Sequence, residues 1–434
     1  MKVNKTKTLQ EASSARGWNE AVRLTGIYLE RPGRADELLG TARRGMDDRD
    51  FARCQNLFYA VVRNLSLLRS AMDSLCPRSP TQSAIALLYV AAAELLEAGT
   101  DTGAKALVTH HAVTRASELL PARMKGFVNA VMRRLPEALE NEPEKKSDPL
   151  EKLALKYSHP LWLAKRWERD FGIENTKFLL EWDQTPAEAY IRLEEGVAAP
   201  ASLKASRWTG YYTYQGGGGW GEIADLLSAR RAYAQDPSTR LCVDTLAPQA
   251  GMRILDLCAA PGGKARQLLS RMDEGQLVCV DLPGARCKRL RENLAGLDNE
   301  RMKVSIVESD VFELSAEKFR SLNLPESYDA VLLDAPCSNT GVLRRRPDAR
   351  WRLKETDISS CAALQAKLLT KAATFVKEGG RIVYSTCSID PEENALLVDA
   401  FLKTNADFSE YARVQALPWK DEHDGAGVSG LKRN

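Results

Sequence analysis

Residues 252–272 read MRILDLCAAPGGKARQLLSRM. The first seven form a short apolar run bounded by a Gly/Pro turn, and the residues after the turn have helical periodicity. Strand, glycine-rich turn and helix in this order open a parallel α/β sheet. Working outward, the alternation continues. QLVCVDL (276–282) is a strand, ARCKRLRENLAGL (285–297) a helix, and KVSIVESD (303–310), YDAVLLDAP (328–336) and GRIVYSTC (380–387) are further strands. A long helical run at 356–377 precedes the last of them. Near-continuous apolar strands alternating with helices specify a mostly parallel, doubly wound, Rossmann-like sheet over residues 236–434.

Upstream the pattern differs. Residues 1–140 show helical spacing, as in NLFYAVVRNLSLLRSAM, with no competing strand alternation, and read as an all-α domain. PEALENEPEKKSDP (136–149) reads as a charged linker. Residues 150–235, helical at first and then mixed around the flexible QGGGGWG (215–221), read as a small α+β connecting domain. The N-terminus lacks the apolar core of a signal peptide, and AIALLYVAAAELL (84–96) is too short to span a bilayer and contains Glu94. A cytoplasmic protein without membrane contact is expected.

The net charge of +3 announces no nucleic acid, but residues 1–140 hold 20 Lys+Arg against 15 Asp+Glu, and RRRPDARWR (344–352) holds five arginines and one aspartate. Local basic patches of this kind bind phosphates without moving the global balance. The nine cysteines are odd in number and none are spaced C-x-x-C; the four histidines cluster with none of them in sequence. Neither a disulfide framework nor a metal site is expected, and His110-His111 read as structural.

The turn after the first strand, Cys258-Ala259-Ala260-Pro261-Gly262-Gly263-Lys264, matches neither dinucleotide nor P-loop fingerprints. It suits a nucleoside ligand without phosphate. Asp281, Asp310 and Asp334 each close a strand. Asp281 is placed for ribose hydroxyls and Asp310 for an adenine amine, although any α/β strand can end in Asp.

DLCAAPGGK, VLLDAPCSNTGVLRRRPDARW and GGRIVYSTCSIDPEEN, in this order, resemble the S-adenosylmethionine-dependent RNA cytosine-C5 methyltransferases of the NOL1/NOP2/Sun superfamily. AQDPSTRLCVDTLAP (234–248) and SHPLWLAKRWERDFG (158–172) resemble the segments that precede that domain, and HHAVTRASELLPARMKGFVNAVMRRL (110–135) resembles a NusB-like RNA-binding domain. The whole is similar to the bacterial type that modifies one cytosine of 16S rRNA. The resemblance implies S-adenosylmethionine held by Cys258–Lys264, Asp281, Arg286, Asp310 and Asp334. It also implies an RNA partner and a monomer.

This chemistry requires a thiol. Carbon 5 of cytosine is a poor nucleophile until a thiolate adds to carbon 6, after which it attacks the methyl group. Cys337 and Cys387 both follow strands and should meet at one sheet edge. By resemblance the Thr-Cys thiol, Cys387, is the nucleophile and Cys337 assists release. Asp334 then holds or protonates the cytosine amino edge. Lys264 either favours the thiolate or is a solvated lysine at a helix start. Arg344, Arg345, Arg346, Arg350 and Trp351 suit phosphates and an extruded base, or form a solvated basic loop. Glu194 stands where the resemblance leads one to expect asparagine, beside Arg192. The alternatives are the same reaction on tRNA or 23S rRNA, or an inactive RNA-binding assembly factor.

Overall fold

Three aspartates start helices by accepting an amide from the first turn: Asp47 from Asp50, Asp101 from Ala104 and Asp148 from Leu150. In the computed structural model, which describes residues 15–140, 148–216 and 218–434, the chain forms two units. One runs to Pro186 and also takes Leu343–Leu353; the other comprises Ala187–Val342 and Lys354–Asn434.

The first unit is helical. Gln82–Ala98 is apolar on nearly all faces and buried, so it forms the centre of a bundle. Trp18, Leu24, Tyr28, Leu57, Phe58, Leu87, Val128 and Met132 pack in the same core. Glu94, the acid inside this apolar run, accepts a hydrogen bond from the Trp18 indole at 2.7 Å and pairs with Arg53. His111 packs edge-on against Trp18, and burial together with Arg115 lowers its pKa to about 4. The linker read at 136–149 begins inside the helix Met124–Glu140, which carries Pro136, and continues outside the described residues. The signal-peptide reading concerns residues 1–20, of which 1–14 lie outside the described residues and 15–20 belong to the helix Ala15–Glu30. No helix among the described residues is long and apolar enough to cross a membrane.

The segment 150–235, read as one connecting domain, divides between the two units. Helices Pro149–Lys156, Leu161–Phe171 and Ile173–Gln184 belong to the helical unit. The rest forms a four-stranded antiparallel sheet in the second unit, of β1 (Tyr190–Leu193), β2 (Leu203–Ala205), β3 (Tyr211–Tyr214) and β4 (Ala232–Ala234), in the order β2-β3-β1-β4.

Residues 343–353 bring a second correction. Arg350, expected on an RNA surface, is fully buried in the helical unit. Its guanidinium donates to the carbonyls of Ser158 (3.2 Å) and Asp183 (3.1 Å) and lies 3.4 Å from His159 Nδ1. Burial lowers the Arg350 pKa to about 10 against the pull of Asp183, and raises that of Asp183 to about 7. Trp351 is half-buried and donates its indole N–H to the Val62 carbonyl at 2.8 Å. Arg344 stacks over Trp182 and donates to the Pro186 carbonyl at 2.8 Å. Arg350 is committed to the interior because a buried guanidinium needs several acceptors at once. Arg350→Ala is expected to lower stability by about 3–5 kcal/mol in urea unfolding, since it leaves buried acceptors unpaired. A loss below about 1 kcal/mol would show the cluster to be energetically idle.

The second unit carries the seven-stranded sheet. Its strands are β5 (Arg253–Leu257), β6 (Gly275–Asp281), β7 (Met302–Glu308), β8 (Tyr328–Asp334), β9 (Val376–Thr386), β10 (Phe408–Ala416) and β11 (Ala426–Arg433). The order is β10-β11-β9-β8-β5-β6-β7; β7, β6, β5, β8 and β9 are parallel, while β11 runs antiparallel to β9 and to β10. The chain runs outward from β5 in both directions, so the order reverses between β5 and β8. Open α/β sheets bind ligands at the carboxyl ends of strands at such a reversal.

Candidate active site

The reversal sets five strand ends side by side. Leu257 pairs in register with Leu333, and Asp334 with Ser385, so the turns after β5, β8 and β9 are neighbours. Cys258 opens the first of these turns at φ 60°, an unusual conformation for a residue with a side chain. Gly262 follows at φ 98°, in left-handed space that glycine occupies without strain.

Cys337 and Cys387, 50 residues apart in sequence, have their sulfurs 3.1 Å apart. Neither is in a disulfide. The hydrogen bond to the Cys387 sulfur, then burial, hold the Cys337 thiol well above its usual range. Lys264 donates to Asp334 and lies 3.4 Å from the Ser385 hydroxyl. Burial disfavours its charge, but Asp334 and the nearby Cys242 and Cys387 sulfurs outweigh that and raise its pKa above the usual amine range. Lys264 is therefore a cation fixed on Asp334 within electrostatic reach of Cys387, not a solvated residue.

The hydroxyls around Cys387 tie two loops together. Glu393, fully buried, accepts from the Ser338 amide (2.9 Å), the Ser338 hydroxyl, the Ser388 hydroxyl (2.7 Å) and the Gln365 amide (2.8 Å). Thr340 donates to Asp390 at 2.5 Å, and Thr386 donates to Asn394 at 2.7 Å. Gly341 donates its amide to the Cys387 carbonyl at 3.0 Å, and a Cβ there would stand 2.7 Å from that oxygen. The turn bearing Cys337 is thus fastened to the turn bearing Cys387. Burial raises the Glu393 pKa, with the four hydrogen bonds opposing.

Toward β6 and β7 the residues are suited to a nucleoside. Asp281 accepts the Ala260 amide at 2.8 Å and the Leu282 amide at 2.9 Å, which pins the glycine loop to the end of β6. Arg286 donates to the Ala260 carbonyl at 2.5 Å, and Asn293 to the Pro261 carbonyl at 2.7 Å. Asp310 caps its own turn through the Phe312 amide at 2.9 Å. Beside the two acids stand Leu282 and Phe312, 58% and 43% exposed. Carboxylates flanked by exposed apolar surface match a ligand that is part sugar, part flat ring. Asp256, one strand turn below, is fully buried with neither carboxyl oxygen partnered, and burial and Asp334 raise its pKa well above normal.

Some of these residues escaped the sequence reading. Leu282 and Phe312 follow the strand-end acids directly, and that adjacency was the available signal. Glu393 gave none beyond its place after Pro391. The small sheet is joined to the catalytic sheet where the sequence reading placed Arg192 and Glu194. Arg192 donates to Gln235 (2.9 Å), and Glu194 receives Arg192 (3.4 Å) and Arg266 (3.3 Å), the latter from the helix after the glycine loop. Glu194 thus clasps two arginines. Of the arginine run, Arg346 is exposed and Arg345 half-buried.

Comparison with known proteins places this geometry. Residues 243–426 match the family model described as 16S rRNA methyltransferase RsmB/F, and residues 26–137 match the NusB family. The chain is 31% identical over 416 residues to ribosomal RNA small subunit methyltransferase B of Escherichia coli strain SMS-3-5, covering 89% of this chain and 92% of that protein. It is 30% identical over 433 residues to the protein of the same name from Serratia proteamaculans strain 568, covering 92% and 94%. In fold it is similar to the crystal structure of PH0851, with a TM-score of 0.72 at 23% identity over 95% of this chain and 98% of that one. It is also similar to NSun6 from Pyrococcus horikoshii, solved with the S-adenosylmethionine analogue SFG, with a TM-score of 0.51 at 17% identity over 63% and 98%. A sheet that reverses at a glycine loop, a NusB-type helical domain preceding it in sequence, and relatives matched over nine-tenths of their length lead to one assignment: the chain belongs to the 16S rRNA methyltransferase RsmB/F family, with S-adenosylmethionine as its cofactor.

Proposed function

We propose that this methyltransferase acts on carbon 5 of one cytosine in 16S rRNA through a covalent bond to Cys387. The observation that carries the reading is the pair of sulfurs 3.1 Å apart, with Lys264, held as a cation by Asp334, within electrostatic reach of Cys387. A cation beside a thiol favours the thiolate. The Cys387 thiolate adds to carbon 6, and the electrons of the 5,6 double bond make carbon 5 nucleophilic. S-adenosylmethionine, when bound, supplies the methyl group that carbon 5 takes up. The carbon 5 proton then leaves, its bonding pair re-forms the double bond, and the bond to Cys387 breaks with its electrons returning to sulfur. Cys337 assists that release, and Asp334 faces the cytosine amino edge. Cys258–Lys264 would hold the cofactor, with Asp281 and Arg286 fixing the loop and offering partners for its ribose, and Asp310, Leu282 and Phe312 offering partners for its adenine. The NusB-type unit docks the RNA, and Arg345 and Arg346 contribute phosphate contacts.

Bisulfite sequencing of rRNA and tRNA from cells without the gene, complemented by wild type or Cys387→Ala, tests this. One 16S cytosine should lose protection in the deletion and regain it only with wild type. Loss at a tRNA or 23S position instead would reassign the substrate. No lost position anywhere would leave an assembly role without catalysis.

A further inference from the structure

Asn339 stands between the two cysteines with no role in the scheme above. Its φ of 64° is a left-handed conformation that asparagine tolerates better than most residues. Its carbonyl accepts the Val342 amide at 3.1 Å, opening the short turn Thr340–Val342. The side chain folds back over the loop. Its Nδ2 donates to the Cys337 carbonyl at 2.8 Å, and its Oδ1 lies 3.3 Å from Cys387 Sγ.

The first contact fixes the second. A backbone carbonyl only accepts, so the amide must present its nitrogen to Cys337. That leaves the oxygen facing Cys387, and an oxygen can bond the thiol but not the thiolate. A hydrogen bond to the neutral form disfavours the charged form. The other groups around Cys387 act differently. Lys264, paired with Asp334, favours the thiolate, and Cys337, 3.1 Å away, can donate its proton to the Cys387 sulfur. The Cys361 thiol faces Cys387 from the helix Glu355–Ala373, while Glu393 and Asp390 bond the hydroxyls of the two loops.

We propose that Asn339 is a positioning residue that holds Cys387 as a thiol in the free enzyme, so that the nucleophile ionises only when this contact is given up. The inference rests on the reading of Cys387 as nucleophile. It makes Asn339 a brake set against Lys264, guarding an accessible thiol from adventitious alkylation and oxidation between turnovers.

Iodoacetamide alkylation of Cys387 in the full-length protein, followed by mass spectrometry across the thiol titration range, tests it. Asn339→Gly keeps the left-handed backbone and removes the acceptor. It should speed alkylation at neutral pH about three- to tenfold, corresponding to a midpoint lower by about half to one unit. Asn339→Asp keeps an acceptor and adds negative charge, and should slow alkylation by a similar factor and raise the midpoint. The pH profile of methyl transfer should move with each, with little change in KM for RNA. Unchanged profiles, or both variants shifting in the same direction, would overturn the proposal. Alkylation reads the thiol without methyl transfer. A Cys387→Ala protein that still methylates would therefore sink the nucleophile assignment while the contact is judged on its own profile.

Discussion

Cys337→Ala protein, incubated with its RNA and S-adenosylmethionine, is expected to accumulate a protein–RNA adduct that survives denaturing electrophoresis. Cys387→Ala protein should form none and lose methyl transfer by roughly 10^4-fold or more, as when other enzymes lose a covalent nucleophile. The asymmetry follows from the sulfur pair. Cys337 is the partner held well above its usual range by the neighbouring sulfur and by burial, so it is the poorer source of thiolate. Without it the proposed addition should still proceed, while release from carbon 6 should be impaired. Electrophoresis with labelled RNA separates the two phenotypes. An adduct in Cys387→Ala and none in Cys337→Ala would reverse the roles; full activity in both would make the thiols structural.

Lys264→Met should slow methyl transfer by about 10^2–10^3-fold, the usual scale for removing one preorganised charge from an active site. The lysine is the cation that Asp334 holds and that the Cys387 sulfur feels, and its removal leaves Asp334 without that partner near buried Asp256. Because its pKa is raised above the usual amine range, Lys264 should not titrate in the working pH range. The pH–rate profile of wild type should thus contain no limb from this amine. Single-turnover kinetics would check the loss; a variant within threefold of wild type would show that the pair merely braces the loop.

The parallel strands were legible because each is an apolar run bounded by turn residues, and the site because its acids and thiols end those runs. The antiparallel pair β10 and β11 was not. FSEYARVQA alternates half-buried and exposed residues between two buried ends, and AGVSGLKR carries two glycines, so neither looks like the continuous runs around it. The division of residues 150–235 was invisible because helix and strand signals follow one another there without a composition break. Arg350 misled for a related reason. A run of arginines reads as a solvated face, and the acceptors that bury it, Ser158 and Asp183, lie more than 160 residues away in sequence. Asn339 is one polar residue in a turn, and only coordinates reveal which sulfur its oxygen meets.

The excursion at Leu343–Leu353 bears on how such a protein can be taken apart. These residues lie in sequence between Cys337 and Cys387, yet they belong to the helical unit. No single cut therefore separates the molecule into independently inherited modules. Truncation at residue 140 or 186 would strip the indole of Trp351 of its acceptor or the guanidinium of Arg350 of its cage, and leave that segment as a sticky, aggregation-prone scar on the catalytic fragment. The same wiring restricts recombination. A catalytic sheet of this kind could not be transplanted onto a different helical domain without the receiving domain also supplying the carbonyls that hold one buried arginine.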